Sequence, residues 1–199
     1  MKTTKLLTIT CLLCTLISCE RNLPTPEEYE AVARQLATYL TDNYTIGDSV
    51  LFRTETGDIE GFIVDNIMFS EIILLTEPDF DEATGEEIAS EKVIEGYKLD
   101  LDLLNNQNHI IIRFQIHDDY RNYYERNPGI VSEGSIVIIC EPNHVINTTS
   151  FVPIDINSNP ITISSETMTC VLQKNIGVTK ITLNEHVWEF VELLSNKKE

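Results

Sequence analysis

The stretch VIEGYKLDLDLLNNQNHIIIRFQIH, residues 93–117, decides the fold class of this chain. Val93, Glu95, Tyr97, Leu99, Leu101 and Leu103 fall on one side of a period of two, with Lys98, Asp100 and Asp102 on the other. After Asn105-Asn106-Gln107-Asn108 the period resumes: Ile110, Ile112, Phe114 and Ile116 face one way, and His109, Ile111, Arg113, Gln115 and His117 the other. Successive side chains of an extended chain point to opposite faces, so these are two strands, each with an apolar face to bury. The short polar link suits a hairpin and is too short for the crossover that a parallel pair needs.

The same reading extends in both directions. Ser70 to Leu75 and Ser135 to Cys140 are apolar on both faces, which predicts strands in the middle of the structure. Thr56-Gly57-Asp58, Asn157-Ser158-Asn159-Pro160 and Asn184-Glu185-His186 are further turn signals, and they punctuate roughly ten strands in all. Only near the start does the period lengthen to that of a helix. Thr25, Pro26 and Glu28 write an N-cap, a first-turn proline and a capping box, and Tyr29, Val32, Ala33, Leu36 and Leu40 form the apolar stripe behind them. The expected fold is mainly β: an N-terminal helix followed by an antiparallel β meander, curved or closed into a barrel, with the helix over an edge or an open end. A two-layer sandwich is the alternative.

Before the helix, Lys2 and Lys5 precede the apolar run Leu6 to Ile17, which ends in Leu16-Ile17-Ser18-Cys19. The pattern is that of an export signal, too short to span a bilayer, which needs about 20 apolar residues. It resembles the lipobox of bacterial lipoproteins. That resemblance implies cleavage after Ser18 and lipidation of Cys19 by a thioether-linked diacylglycerol and an amide-linked acyl chain, which together anchor stably where one chain would not. The domains are then 1–18 signal peptide, 19–24 short tether and 25–199 a single helix-plus-β domain. Gly47-Asp48-Ser49-Val50-Leu51-Phe52 with Gly57-Asp58, and Gly177-Val178-Thr179-Lys180-Ile181 with Val187-Trp188-Glu189-Phe190, resemble small envelope lipoproteins of Bacteroidota-type bacteria, families mostly without assigned function. The expected location is the cell envelope, lipid-anchored at the outer membrane. Glu20 and Arg21 lack the acidic run that resembles surface-export signals, which favours the periplasmic face.

Fourteen Lys and Arg face 32 Asp and Glu, a net charge of −18 that becomes −20 once Lys2 and Lys5 are removed. Without a basic stripe the chain has no electrostatic footprint for phosphate backbones, so nucleic acid is excluded as a partner. Cys11 and Cys14 lie in the signal and Cys19 takes lipid, leaving Cys140 and Cys170 as either a disulfide or two buried thiols.

Candidate chemistry is sparse. Glu77, Asp79, Asp81, Glu82, Glu86 and Glu87 cluster, but the spacing fails the Ca²⁺-loop pattern and reads as a hairpin turning at Thr84-Gly85. His109, Arg113, Gln115 and His117 make a polar row, either a wet outer face or, inside a barrel, a polar site. Tyr120, Tyr123 and Tyr124 with Arg126 suit glycan or protein contacts, or pack over the sheet end. Asn147-Thr148-Thr149 has the form of an N-glycosylation sequon. Asp48-Ser49-Val50 resembles an O-glycosylation acceptor or simply starts a strand. Nucleophile-elbow, zinc-protease and phosphate-loop motifs are all missing from the sequence. The reading is a non-catalytic binding or structural module with a protein or glycan partner, without cofactor or metal. The alternative is a carrier of apolar ligands in a β cavity, as in lipocalin-like folds.

Overall fold

The computed structural model describes residues 24–75, 79–80, 87–88, 92–118, 129–140 and 145–196. Helix α1 (Pro26–Ala37) begins as its sequence dictates. The Thr25 hydroxyl accepts the Glu28 N–H at 3.3 Å, and the Glu28 carboxylate accepts the Thr25 N–H at 2.7 Å, closing the capping box. Its stripe of Tyr29, Ala33, Leu36 and Ala37 is buried, and the following turn continues it through Tyr39 and Leu40.

Thirteen strands follow among the described residues: β1 (Ser49–Thr54), β2 (Ile59–Leu75), β3 (Asp79–Phe80), β4 (Glu87–Ile88), β5 (Lys92–Leu104), β6 (Asn108–Asp118), β7 (Ile130–Cys140), β8 (Val145–Thr148), β9 (Val152–Pro153), β10 (Ile161–Ser164), β11 (Met168–Gln173), β12 (Gly177–Leu183) and β13 (His186–Leu194). Apart from the small β3–β4 ladder they form one antiparallel sheet in the order β10-β11-β12-β13-β1-β2-β5-β6-β7-β8, with β9 beside β8 on β7. The meander thus closes back on itself where β13 pairs with β1, Thr54 opposite Trp188 and Ser49 opposite Leu194. Asn196 then donates its N–H to the buried Asp48 carboxylate at 2.9 Å. The sheet curls into a half-barrel rather than two layers.

The helix lies against the apolar face of β5 and β6, two strands inside the sheet order, and not over an edge strand. Leu99, Leu101 and Leu103 of β5 and Ile110, Ile112, Phe114 and Ile116 of β6 line the concave face with no exposed area, and α1 packs on these two strands. A curved sheet offers apolar surface on more than one side of a helix laid in its trough, which an edge cannot. Burying each of Leu36 and Leu40 there contributes roughly 1.5–3 kcal/mol. The connections β9–β10 and β11–β12 hold the far end of the helix. Gln35 donates to the Ile156 carbonyl at 2.7 Å, the Tyr39 hydroxyl to the Ser158 carbonyl at 2.9 Å, and the Asn175 N–H to the Thr38 carbonyl at 2.8 Å.

On the β2–β5 ladder two β-bulges shift the period-two pattern. Asp65 is extra on β2, between Val64 opposite Leu103 and Asn66 opposite Asp102. Glu95 is extra on β5, between Ile94 opposite Ile73 and Gly96 opposite Ile72. Val93 and Glu95 therefore do not continue the Tyr97–Leu103 face: Ile94 packs on the core and Val93 is exposed. Gly96 permits this because a Cβ there would run into the Ile116 carbonyl. Ser70–Leu75 is likewise no middle strand. β1 pairs with β2 only over Ile59–Ile63, so the rest of β2 has β5 on one side and no strand on the other among the described residues.

Candidate functional site

Where β2 and β5 run on past the end of β1, a cleft of about 480 Å³ opens between them and α1. Glu30 and Arg34 line it from the helix, Phe69, Ser70, Glu71 and Ile73 from β2, and Tyr97 from β5. The register explains why polar groups appear here. Phe69 opposes Leu99 and Glu71 opposes Tyr97, so the concave row that elsewhere is apolar turns acidic at its last described position before the bulge.

Arg34 donates to Glu30, one turn earlier, at 3.3 Å from both Nε and Nη2. The pair holds the guanidinium 4.5 Å above the centre of the Phe69 ring. Phe69 leans on Tyr97, with ring centres 5.4 Å apart. The Tyr97 phenol is raised above its ordinary pKa chiefly by burial, with Glu30, Glu71 and Glu27 adding to the rise and Arg34 opposing it. A cleft with an aromatic floor and charged walls can stack a flat or cationic group and fix it with carboxylates.

The predicted polar row lies on the convex face, and the structure joins it to the acids of β5 and β7. Arg113 grips Asp100 through two bonds of 2.7 and 2.9 Å, Lys98 reaches the same carboxylate at 3.1 Å, and Asp100 is only 3% exposed. His109 sits 3.6 Å from Asp102 and His117 3.3 Å from Glu133. Burial raises the Asp102 carboxyl despite His109. Each acid has a basic side chain beside it across the strands, so the row is a polar ladder outside the trough, anchored by the Arg113–Asp100 ion pair.

Cys140 and Cys170 are free thiols on strands that do not pair: Cys140 opposes Asn108 and Val145, Cys170 opposes Ile163 and Ile181. Full burial pushes the Cys170 thiol far above its ordinary pKa. Asp48 is occupied as a turn acceptor for the Thr45 N–H, with Ser49 starting β1. Thr149 of the sequon is buried and bonded to Ile136. Asp79–Ile88 and Phe80–Glu87 pairing frames the acidic segment as a hairpin ladder. Cys19, the signal peptide, Glu77, Asp81, Glu82, Glu86, Tyr120, Tyr123, Tyr124 and Arg126 lie outside the described residues. Among the described residues no group of three or more His, Cys, Asp or Glu is placed to hold a metal, and no helix is long and apolar enough to cross a membrane.

The cleft escaped the sequence reading, although two signals pointed to it. Glu30 and Arg34 are spaced one turn apart on the helix, and Glu71, with Ser70, interrupts the apolar stretch Ile67–Leu75 of β2. Compared with known proteins, the chain matches no family model, no curated protein and no solved structure.

Proposed function

We propose that this chain is a membrane-anchored, non-catalytic module of the bacterial envelope, held by lipid on Cys19 and binding a partner through the cleft between α1, β2 and β5. The observation that carries the binding half is the cleft itself, where an aromatic floor meets unlike charges on a sheet face otherwise packed with apolar side chains. The anchor half is supported by the lipobox-like Leu16-Ile17-Ser18-Cys19. The trough in which a lipocalin-like carrier would hold its ligand is filled by the chain's own helix, which favours the binding module over the carrier.

Cells expressing the protein with a photo-crosslinker in place of Ile73, grown with tagged palmitate, test both halves at once. The expected result is palmitate on the wild-type chain and none on Cys19→Ala, with one defined crosslinked adduct at position 73 in the envelope fraction. Palmitate retained by Cys19→Ala overturns the anchor. A position-73 chain that crosslinks to nothing overturns the binding site.

A further inference from the structure

We infer that the cleft takes a guanidinium or ammonium side chain of a basic polypeptide laid along the open edge of β2, and that Arg34 occupies this place when the partner is absent. The inference rests on reading the protein as a binding module. The Phe69 ring face already holds a cation at 4.5 Å, which identifies the chemistry that the cleft accepts. Arg34 is loosely held: its partner Glu30 is one turn away on the helix, and their side chains are 63% and 46% exposed. Such surface pairs contribute little, so an incoming cation displaces Arg34 at small cost.

The sign of the local field agrees. Glu27, Glu30 and Glu71 raise the Tyr97 hydroxyl and Arg34 lowers it, within a chain of net charge −18. An anionic ligand would be repelled, and a neutral glycan would recruit Arg34 as a donor instead of replacing it.

The edge of β2 makes the partner a polypeptide. Beyond Val64, which is bonded to Gly47 and Asp48, this strand has no strand neighbour on its second side among the described residues, an edge to which a strand can be added beside the cleft. Alternate side chains of an added strand would face the cleft, about 6.6 Å apart, the spacing of residues two apart in a strand.

The full chain in neutral detergent should be titrated with an acetylated (Arg-Val)₃ amide, with a (Glu-Val)₃ amide and a neutral hexasaccharide in parallel, following the NMR signals of Phe69 and Tyr97. The basic peptide should bind and weaken as salt is raised. Glu30→Gln and Glu71→Gln should each lower its affinity several-fold. Arg34→Ala should raise it about 2- to 5-fold, the factor of one exposed cation–π contact. Unchanged melting curves confirm that the variants fold. Binding by Arg34→Ala alone also supports the inference, since it removes the resident cation. Weaker binding by Arg34→Ala overturns it, as does a response of Phe69 and Tyr97 to the acidic peptide or the hexasaccharide and not to the basic one. Silence of both wild type and Arg34→Ala at millimolar peptide overturns it too, and leaves the crosslinking result at position 73 to judge the binding module separately.

Discussion

Helix α1 and the turn that follows it meet the half-barrel in opposite ways on their two sides. At its C-terminal end the chain is locked to the far wall: Tyr44 accepts the Val178 N–H at 2.7 Å, Gly177 lies against the Tyr44 ring, and Thr38 takes the Asn175 N–H. On the side of Glu30 and Arg34, the helix leans on the β2–β5 overhang through side chains that water reaches. A buried, satisfied bond is costly to break because its partners lose water as well as each other, whereas an exposed ion pair is replaced at little cost. The same short helix is therefore fixed on one side and exchangeable on the other.

The largest break in this contrast should come from Gly177→Ala. Gly177 has φ +91°, and an added Cβ would overlap the Tyr44 hydroxyl and ring carbons. Left-handed strain together with overpacking predicts a loss of about 3 kcal/mol, read as a lower urea midpoint at unchanged slope. Tyr44→Phe should cost less, about 2 kcal/mol, because it leaves the ring in place and orphans only the buried Val178 N–H. A loss no larger than that of an exposed substitution would show that the locked end is not locked.

The smallest effect separates the two sides by titration. Burial raises the phenols of both Tyr44 and Tyr97, and the rise is the larger for Tyr44 despite its Val178 bond. A phenol whose folded pKa is raised contributes stability that is present below its unfolded pKa of about 10 and is lost as pH rises through the folded value. Ultraviolet titration should therefore find Tyr97 ionising above the ordinary tyrosine range while the fold persists, with Tyr44 ionising only as the fold opens. Tyr97→Phe should delete the earlier step alone. If Tyr44 titrates first, the comparison is reversed.

Much of the architecture was legible because it depends on local rules. The rows Leu99–Leu103 and Ile110–Ile116 announced two strands with one buried face, and Thr25-Pro26-Glu28 announced the helix start. What escaped was set by pairing across long distances. Nothing in Ser70–Leu75 says that β1 stops at Ile63 of its neighbour, so a sheet edge read as a sheet interior. The bulge at Glu95 depends on the β2 register, and it moved Val93 to the surface. The cleft needed both facts, together with a helix in the trough, before Glu30, Arg34, Phe69, Glu71 and Tyr97 could be seen as neighbours. The polar row was legible as a row, but its partners Asp100, Asp102 and Glu133 emerged only with the strand register.

The β1–β13 seam ties the beginning of the sheet to its end, and this has a consequence in time. A ribosome delivers Ser49 long before Leu194, and Asp48 waits almost 150 residues for the N–H of Asn196. Until β13 emerges, β1 has β2 on one side and nothing to pair with on the other, and the trough that receives α1 lacks one wall. Contacts so remote in sequence form late, because the intervening chain must surrender its freedom before they repay it. The growing polypeptide is thus kept from completing its fold until β13 has been made.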